Sequence, residues 1–371
     1  MHTPKKGMVI NMEEQNKQPV VGTETVAETP CDAPETVSMP ELLTVSPSPH
    51  ARRGVLTSHL MRDVMIALVP ATIWGAYVFG VRAALVVLVS ILSCVVFELL
   101  TELILKRTVT IADCSAALTG LLLGLNLSPA VPFYVPIIGG AFAIIVVKQL
   151  FGGIGKNVMN PALAARVFLM LTWTNAMTQF PAAYDRIPVF GSAADAIASA
   201  TPLVALKGGA LADGVSVLDL FLGRTGGAIC EVSALMLLIG GVYLLVRRVI
   251  TWHIPVAYLG SFALLCLLFP AGGADRLTFT AASLCSGGLM LGAFFMATDY
   301  VTSPVTKVGR LIFGLGCGLI TFFIRRFGGY NEGVSFAILI MNALVWYLDM
   351  LTKPRVYGIS RRKEQKGGSA K

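Results

Sequence analysis

Residues 195–203 read Asp-Ala-Ile-Ala-Ser-Ala-Thr-Pro-Leu. The stretch carries a carboxylate at Asp195 and hydroxyls at Ser199 and Thr201, set among small apolar residues and closed by Pro202. By residue type alone it is a hydroxyl-bearing turn of the kind common in linkers. What it offers chemically is hydroxyl and carboxylate groups on a slim segment. A second set is ionic. Glu98, Asp113, Lys148, Arg166, Glu231 and Asp299 stand in or beside apolar runs, and a charge at membrane depth is costly enough to be read as functional by default. Glu98, Asp113, Lys148 and Asp299 fall near run ends, where snorkelling or capping suffices. Glu231 follows Gly226-Gly227 and suits either a helix cap or an ion path. Arg166 lies inside a short apolar run; a planar, permanent cation suits a buried carboxylate or a phosphate. A third set is Gly152, Gly153 and Gly155 with Asn157, just before Asn160-Pro161. Backbone N–H groups at a helix start favour anions; the plainer reading is a tight turn.

Other chemistries find no support. The seven cysteines are scattered singly with no CxxC spacing, and His2, His50, His59 and His253 show no ligand spacing, so no metal site and no catalytic residue is assigned. No Gly-x-Gly-x-x-Gly stands in a strand–helix setting to bind NAD. No basic run is interleaved with aromatics, so nucleic acid is not an expected partner.

The elements that must hold these residues lie in a lipid bilayer. The chain has 371 residues, 55% hydrophobic and 13% charged, with a mean hydropathy of +0.73. A soluble domain carries about 25% charged residues. A soluble enzyme, a disordered chain and a small secreted scaffold are excluded. The net charge of +8 hides a tail of −4 over residues 1–50 and +12 over the rest. Residues 1–45 are polar and aperiodic, a disordered acidic tail without the apolar core of a signal peptide.

Ten apolar runs follow, at about 61–81, 83–103, 112–128, 132–151, 160–174, 227–246, 252–270, 277–297, 309–325 and 333–351. A full span needs about 20 residues, so the short third and fifth runs are expected to be half-helices ending within the membrane. Asn160 suits the N-cap of the fifth and Pro161 its first turn. With the N-terminus inside, seventeen Lys and Arg flank the inner side and four the outer, Arg82, Arg276, Arg325 and Arg326. That bias puts both termini in the cytoplasm and the long 175–226 segment outside. The adjacent Arg325 and Arg326 break the rule.

The two halves resemble each other. Thr119–Gly124 reads TGLLLG and Gly287–Gly292 reads GGLMLG, an offset of 168. Phe-Gly-Gly recurs at 151 and 327, an offset of 176. Five spans per half is an odd number, which turns the halves upside down relative to each other, as in many transporters. The expected fold is therefore an all-α polytopic membrane protein of about ten transmembrane helices in two inverted five-helix repeats. Its segments are the tail (1–45), the first repeat (46–174), an outward loop (175–226), the second repeat (227–352) and a basic cytoplasmic tail (353–371).

The segment Asp195 to Thr201 resembles the flavinylation motif Asp-x-x-x-Ser/Gly-Ala-Thr, in which a flavin transferase attaches FMN to the threonine. Asp195, Ser199, Ala200 and Thr201 match it; Ala196 stands where glycine is frequent. With Ser46–His50, Asp63–Pro70, Leu150–Asn157, Asn160–Arg166 and Met296–Pro304, the chain over about 40–358 is similar to the D subunit of the Rnf ion-translocating oxidoreductase complex. The B subunit of the sodium-translocating NADH:quinone reductase is a close relative of that family. Tyr300 replaces a proline frequent there.

The resemblance implies a membrane subunit that carries covalent FMN on Thr201 and relays electrons. The complex couples ferredoxin and NAD redox chemistry to sodium-ion or proton movement. It implies as partners the other Rnf subunits, notably the flavinylated G subunit, the flavin transferase and the bilayer, in a prokaryotic cytoplasmic (inner) membrane. A second, non-covalent flavin such as riboflavin belongs to related subunits, and Arg166 and Asn157 are the further cofactor-binding candidates. The competing readings are a non-redox inverted-repeat channel and the quinone-reductase B subunit.

Overall fold

A computed structural model describes residues 57–107, 109–185, 187–188, 201–209, 215–231, 233–271, 275–330 and 332–353. Asp195, Ser199, Ala200 and most of both tails lie outside the described residues.

Each of the ten apolar runs becomes helix. The first half holds α1 (Thr57–Phe79), α2 (Val81–Ile104), α3 (Ser115–Leu125), α4 (Tyr134–Gln149) and α5 (Pro161–Thr172). Three short helices follow, α6 (Thr174–Thr178), α7 (Pro202–Lys207) and α8 (Val217–Leu222). The second half holds α9 (Ala234–Val246), α10 (His253–Leu268), α11 (Arg276–Cys285), α12 (Leu289–Met296), α13 (Lys307–Phe327) and α14 (Val334–Thr352). Four of these, α1, α2, α13 and α14, are long and apolar enough to cross a membrane. The α11–α12 pair forms a fifth candidate, bent by 65° at its break. The remaining apolar helices are shorter, with α3 and α5 the 11- and 12-residue pieces expected of half-helices. The C-terminal end of α3 is buried through Ala130, where lipid allows a helix to stop, whereas α5 ends on the exposed Leu171 and Thr172.

Local chemistry sets the boundaries. Asn160 accepts from the N–H groups of Ala162 and Leu163, and Pro161 occupies the first turn of α5. Ser233, Asp275 and Thr306 cap α9, α11 and α13 in the same way. Before α5 the chain turns through Gly152, Gly153 and Gly155 at φ of 109°, 92° and 85°, a left-handed conformation that suits glycine.

The packing repeats in the two halves. In the first, α2 packs on α3 and α4; in the second, α10 packs on α11 and α13. The related helices α1 and α9 touch each other, as do α5 and α14. Where helices cross closely, glycines admit the neighbouring backbone. A Cβ on Gly120 of α3 would sit 2.6 Å from Ile91 Cα of α2, and one on Gly314 of α13 would sit 2.8 Å from the Ile254 carbonyl of α10. In lipid such small-residue seams replace the hydrophobic effect as the source of helix association.

Two expectations are corrected. Glu98 and Lys148 do not snorkel; both are fully buried, and the ammonium bonds Glu98 Oε1 and, at 2.7 Å, the Ser115 hydroxyl. Helix packing here covers the end of α4, so the amine pairs within the protein. Arg325, which broke the charge rule, is also buried. It donates to the carbonyls of Ser283 (2.8 Å) and Ser286 (3.2 Å) at the end of α11. Its partner is the broken span, not the aqueous phase.

Candidate functional site

A cavity of about 280 Å³ opens between α5, α7 and the break between α11 and α12. Thr201 stands at it as the N-cap residue of α7, with Pro202 in the first turn. Its φ of −63° and ψ of 147° are ordinary for an N-cap, yet its side chain makes no capping hydrogen bond. The hydroxyl is thus not committed to the helix. Met170, Met177 and Phe180 give the cavity an apolar wall; Gly226, Gly227, Gly287 and Gly329 leave it open. The Ser286 hydroxyl, also in this lining, is buried and without a hydrogen-bond partner.

The floor is Arg166, only 4% exposed. One Nη donates to Asn126 Oδ1 (2.8 Å) and to the Ser335 hydroxyl (3.3 Å). The other meets Glu231 Oε1 (3.2 Å) and Glu332 Oε2. Glu231 also accepts from the Ala228 N–H through Oε2 (3.4 Å). It therefore ties the 228–231 turn and pairs with Arg166, while the cap of α9 is Ser233, not Glu231. Glu332 Oε1 has no partner. One cation facing two carboxylates leaves a formal charge of −1 under the cavity. This site needs the end of α3, the start of α14 and the 226–231 segment together. That segment is fixed because Ile229 and Cys230 donate to the carbonyls of Leu127 and Leu125, which the end of α3 leaves without helical partners. Gly288 completes the fit: a Cβ there would lie 3.3 Å from Glu231 Oε1 and 3.5 Å from Arg166 Nη1.

A second cavity, of about 380 Å³, lies at the other end of α5. Ser115, Lys148, Asn157, Asn160 and Asp299 line it. Asp299 is half-buried, and burial pushes its carboxyl above the usual carboxylate range against the hydrogen bonds it accepts from backbone N–H groups and the Thr302 hydroxyl. Between the cavities runs a polar chain. The Asn126 amide reaches Met296 Sδ (3.8 Å), and the Asn160 amide donates to the Met296 carbonyl (3.4 Å).

The structure thus brings Thr201 and Arg166 to one cavity and leaves Asn157 at the other. Asp195, Ser199 and Ala200 lie outside the described residues. Sequence reasoning missed Glu332, Asn126 and Ser335. Glu332 had one signal, an acid between a Phe-Gly-Gly turn and an apolar helix. Asn126 and Ser335 had none.

Residues 44–358 match the model of the NQR2, RnfD, RnfE family. The D subunit of the Na(+)-translocating ferredoxin:NAD(+) oxidoreductase complex of Acetobacterium woodii is 46% identical over 325 residues, 87% of this chain and 98% of that one. The D subunit of the proton-translocating ferredoxin:NAD(+) oxidoreductase complex of Clostridium ljungdahlii is 40% identical over 334 residues, 86% and 97% of the two chains. The D subunit of the ion-translocating oxidoreductase complex of Escherichia coli O81 is 36% identical over 344 residues, 85% and 98%.

Proposed function

The chain belongs to the NQR2, RnfD, RnfE family, and from that premise we propose that it is the D subunit of an Rnf-type complex. It works as part of an oxidoreductase that couples ferredoxin and NAD chemistry to ion translocation. The coupled ion is sodium or a proton, the two that the relatives' names carry. We infer further that Thr201 bears FMN through a phosphoester and that the protein relays electrons. The observation that carries this is the uncommitted Thr201 hydroxyl at a cavity floored by Arg166, Glu231 and Glu332.

The residues present fit such a group. The Ser286 hydroxyl is a buried polar atom without a partner on the cavity wall, and the glycines leave room for a planar ring system. Thr201 would carry the group, and Met170, Met177 and Phe180 would face its apolar part. Bound FMN supplies one- and two-electron redox chemistry. The chain's own residues supply placement. Arg166 fixes two carboxylates from distant segments, so the floor keeps its shape and its sign of charge. Attachment needs a flavin transferase. Thr201 would carry the group as a phosphoester, its hydroxyl replacing AMP on the FMN phosphorus of FAD and giving up its proton, with AMP as the leaving group. Other Rnf subunits, the flavinylated G subunit among them, complete the electron path. The site of attachment is on the outside of a prokaryotic cytoplasmic membrane, with both termini inside.

The test is flavin fluorescence on a denaturing gel with the transferase coexpressed. The wild-type band is expected to fluoresce and the Thr201→Val band to be dark. A dark wild-type band, beside a fluorescent control substrate of the transferase, would overturn the flavin assignment and favour a non-redox channel on the same scaffold.

A further inference from the structure

The repeat relation reaches a pair of buried cations. In the first half Lys148 of α4 meets Glu98 of α2 and Ser115 of α3. The offset of 168 carries Glu98 to Cys266 and Ser115 to Ser283. Lys148 lies three residues before the first Phe-Gly-Gly and Arg325 two before the second. The two helices differ in winding there: Lys148 lies in the π-helical stretch Phe142–Gln149, whereas α13 is α-helical to Phe327. The structure completes the match: Arg325 bonds the Ser283 carbonyl, and Cys266 lines the same small pocket. One half therefore neutralises its buried cation with a carboxylate. The other has a thiol in that place.

The consequence is a pocket of one sign. Arg325, Arg326 and Lys207 all line it, with Leu203 and Phe262, and no acid is among its described lining residues. Arg325 is 8% exposed and forms no ion pair among the described residues. Its Nε has no hydrogen-bond partner. A buried guanidinium without a counter-charge is costly. The pocket adjoins the Thr201 cavity, since Leu203 lines both. Gly287 stands between them at φ 69°, with Arg325 Nη2 2.9 Å from where a Cβ would be. Arginine's fork matches phosphate oxygens.

We propose that this pocket binds a phosphoryl group, with Arg325 as the buried cation and Lys207 and Arg326 around it. Two sources have this chemistry: the phosphoester of a flavin nucleotide on Thr201, which rests on the function proposed above, and the headgroup of an outer-leaflet phospholipid.

The test uses the purified complex carrying Thr201→Val, titrated with FMN and with riboflavin while flavin fluorescence is followed. FMN is expected to bind at least about ten-fold tighter, the range of a charge-assisted hydrogen bond. Adding Arg325→Gln is expected to bring FMN to the level of riboflavin and to leave riboflavin unchanged. Lys207→Gln, which keeps the carbonyl contacts of Arg325, is expected to lower the ratio about three-fold, a weaker version of the same effect. In parallel, phospholipid phosphate retained on the complex with Thr201 intact is assayed with and without Arg325→Gln. Loss of one bound phospholipid in that variant, with the FMN ratio unmoved, assigns the site to the headgroup. If neither the FMN ratio nor the retained phosphate changes in Arg325→Gln or Lys207→Gln, the phosphoryl site is wrong. Failure of both flavins to bind any form would sink the Thr201 reading alone, and the phosphate assay would still decide the pocket.

Discussion

Arg166 and Lys148 show what a buried cation demands. Each is held by carboxylate and hydroxyl groups from other segments, and removing one partner leaves the other charged and unsolvated. Lys148→Met is therefore expected to destabilise the protein by about 3–5 kcal/mol, since it strands Glu98. Glu98→Gln combined with Lys148→Met should recover most of that loss. Denaturant unfolding of the two single variants and the double variant measures the coupling; additive losses would mean that the pair is not a unit. Asp299 makes a separate prediction. Its carboxyl is raised by burial, so the folded form holds its proton more tightly than the unfolded chain. The resulting stability is fully present below the unfolded value, about 3.9, and is lost as pH rises through the folded one. Asp299→Asn should remove that share of the slope, seen as a smaller change in unfolding midpoint between pH 4 and 7 than in the wild type.

Among the elements, the glycine seams carry the clearest prediction. Gly120 places α3 against α2 so closely that a Cβ would sit 2.6 Å from a backbone carbon. Backbone cannot step aside as a side chain does, so Gly120→Val should push the helices apart and cost about 1–3 kcal/mol or more. Gly260 in α10 has nothing within 4 Å of its Cβ position. Gly260→Ala should stabilise by up to about 1 kcal/mol through helix propensity. Unfolding midpoints of the two variants, moving in opposite directions from the wild type, check both. A common direction would mean that the seam is not what Gly120 serves.

Across the whole molecule, two cavities lie toward opposite ends of α5, joined by the polar chain through Asn126, Met296 and Asn160. Transporters built from repeats place their functional groups between the repeats. With the proposed topology, Thr178 faces outside and Lys156 inside. In a background cleared of the native cysteines, Thr178→Cys should react with a membrane-impermeant maleimide in spheroplasts. Lys156→Cys should react only in inverted vesicles. The opposite pattern would turn the topology over and place the Thr201 cavity in the cytoplasm.

The ten helical runs, the short lengths of α3 and α5, the Asn160 cap and the glycine turn before it were legible from residue order. Run length, capping side chains and left-handed glycine act within a few residues, so neighbours in sequence suffice to specify them. The halves were legible because an offset is a property of the sequence itself. The partners of Arg166 were not. Glu231 and Glu332 lie 65 and 166 residues away, and meet Arg166 only when the end of α3, the break before α12 and the start of α14 close on one point. The burial of Glu98 with Lys148, 50 residues apart, and of Arg325 against the end of α11 were likewise decided by how the helices pack. Hydropathy reports whether a residue enters the bilayer, whereas the register between helices determines what it meets there.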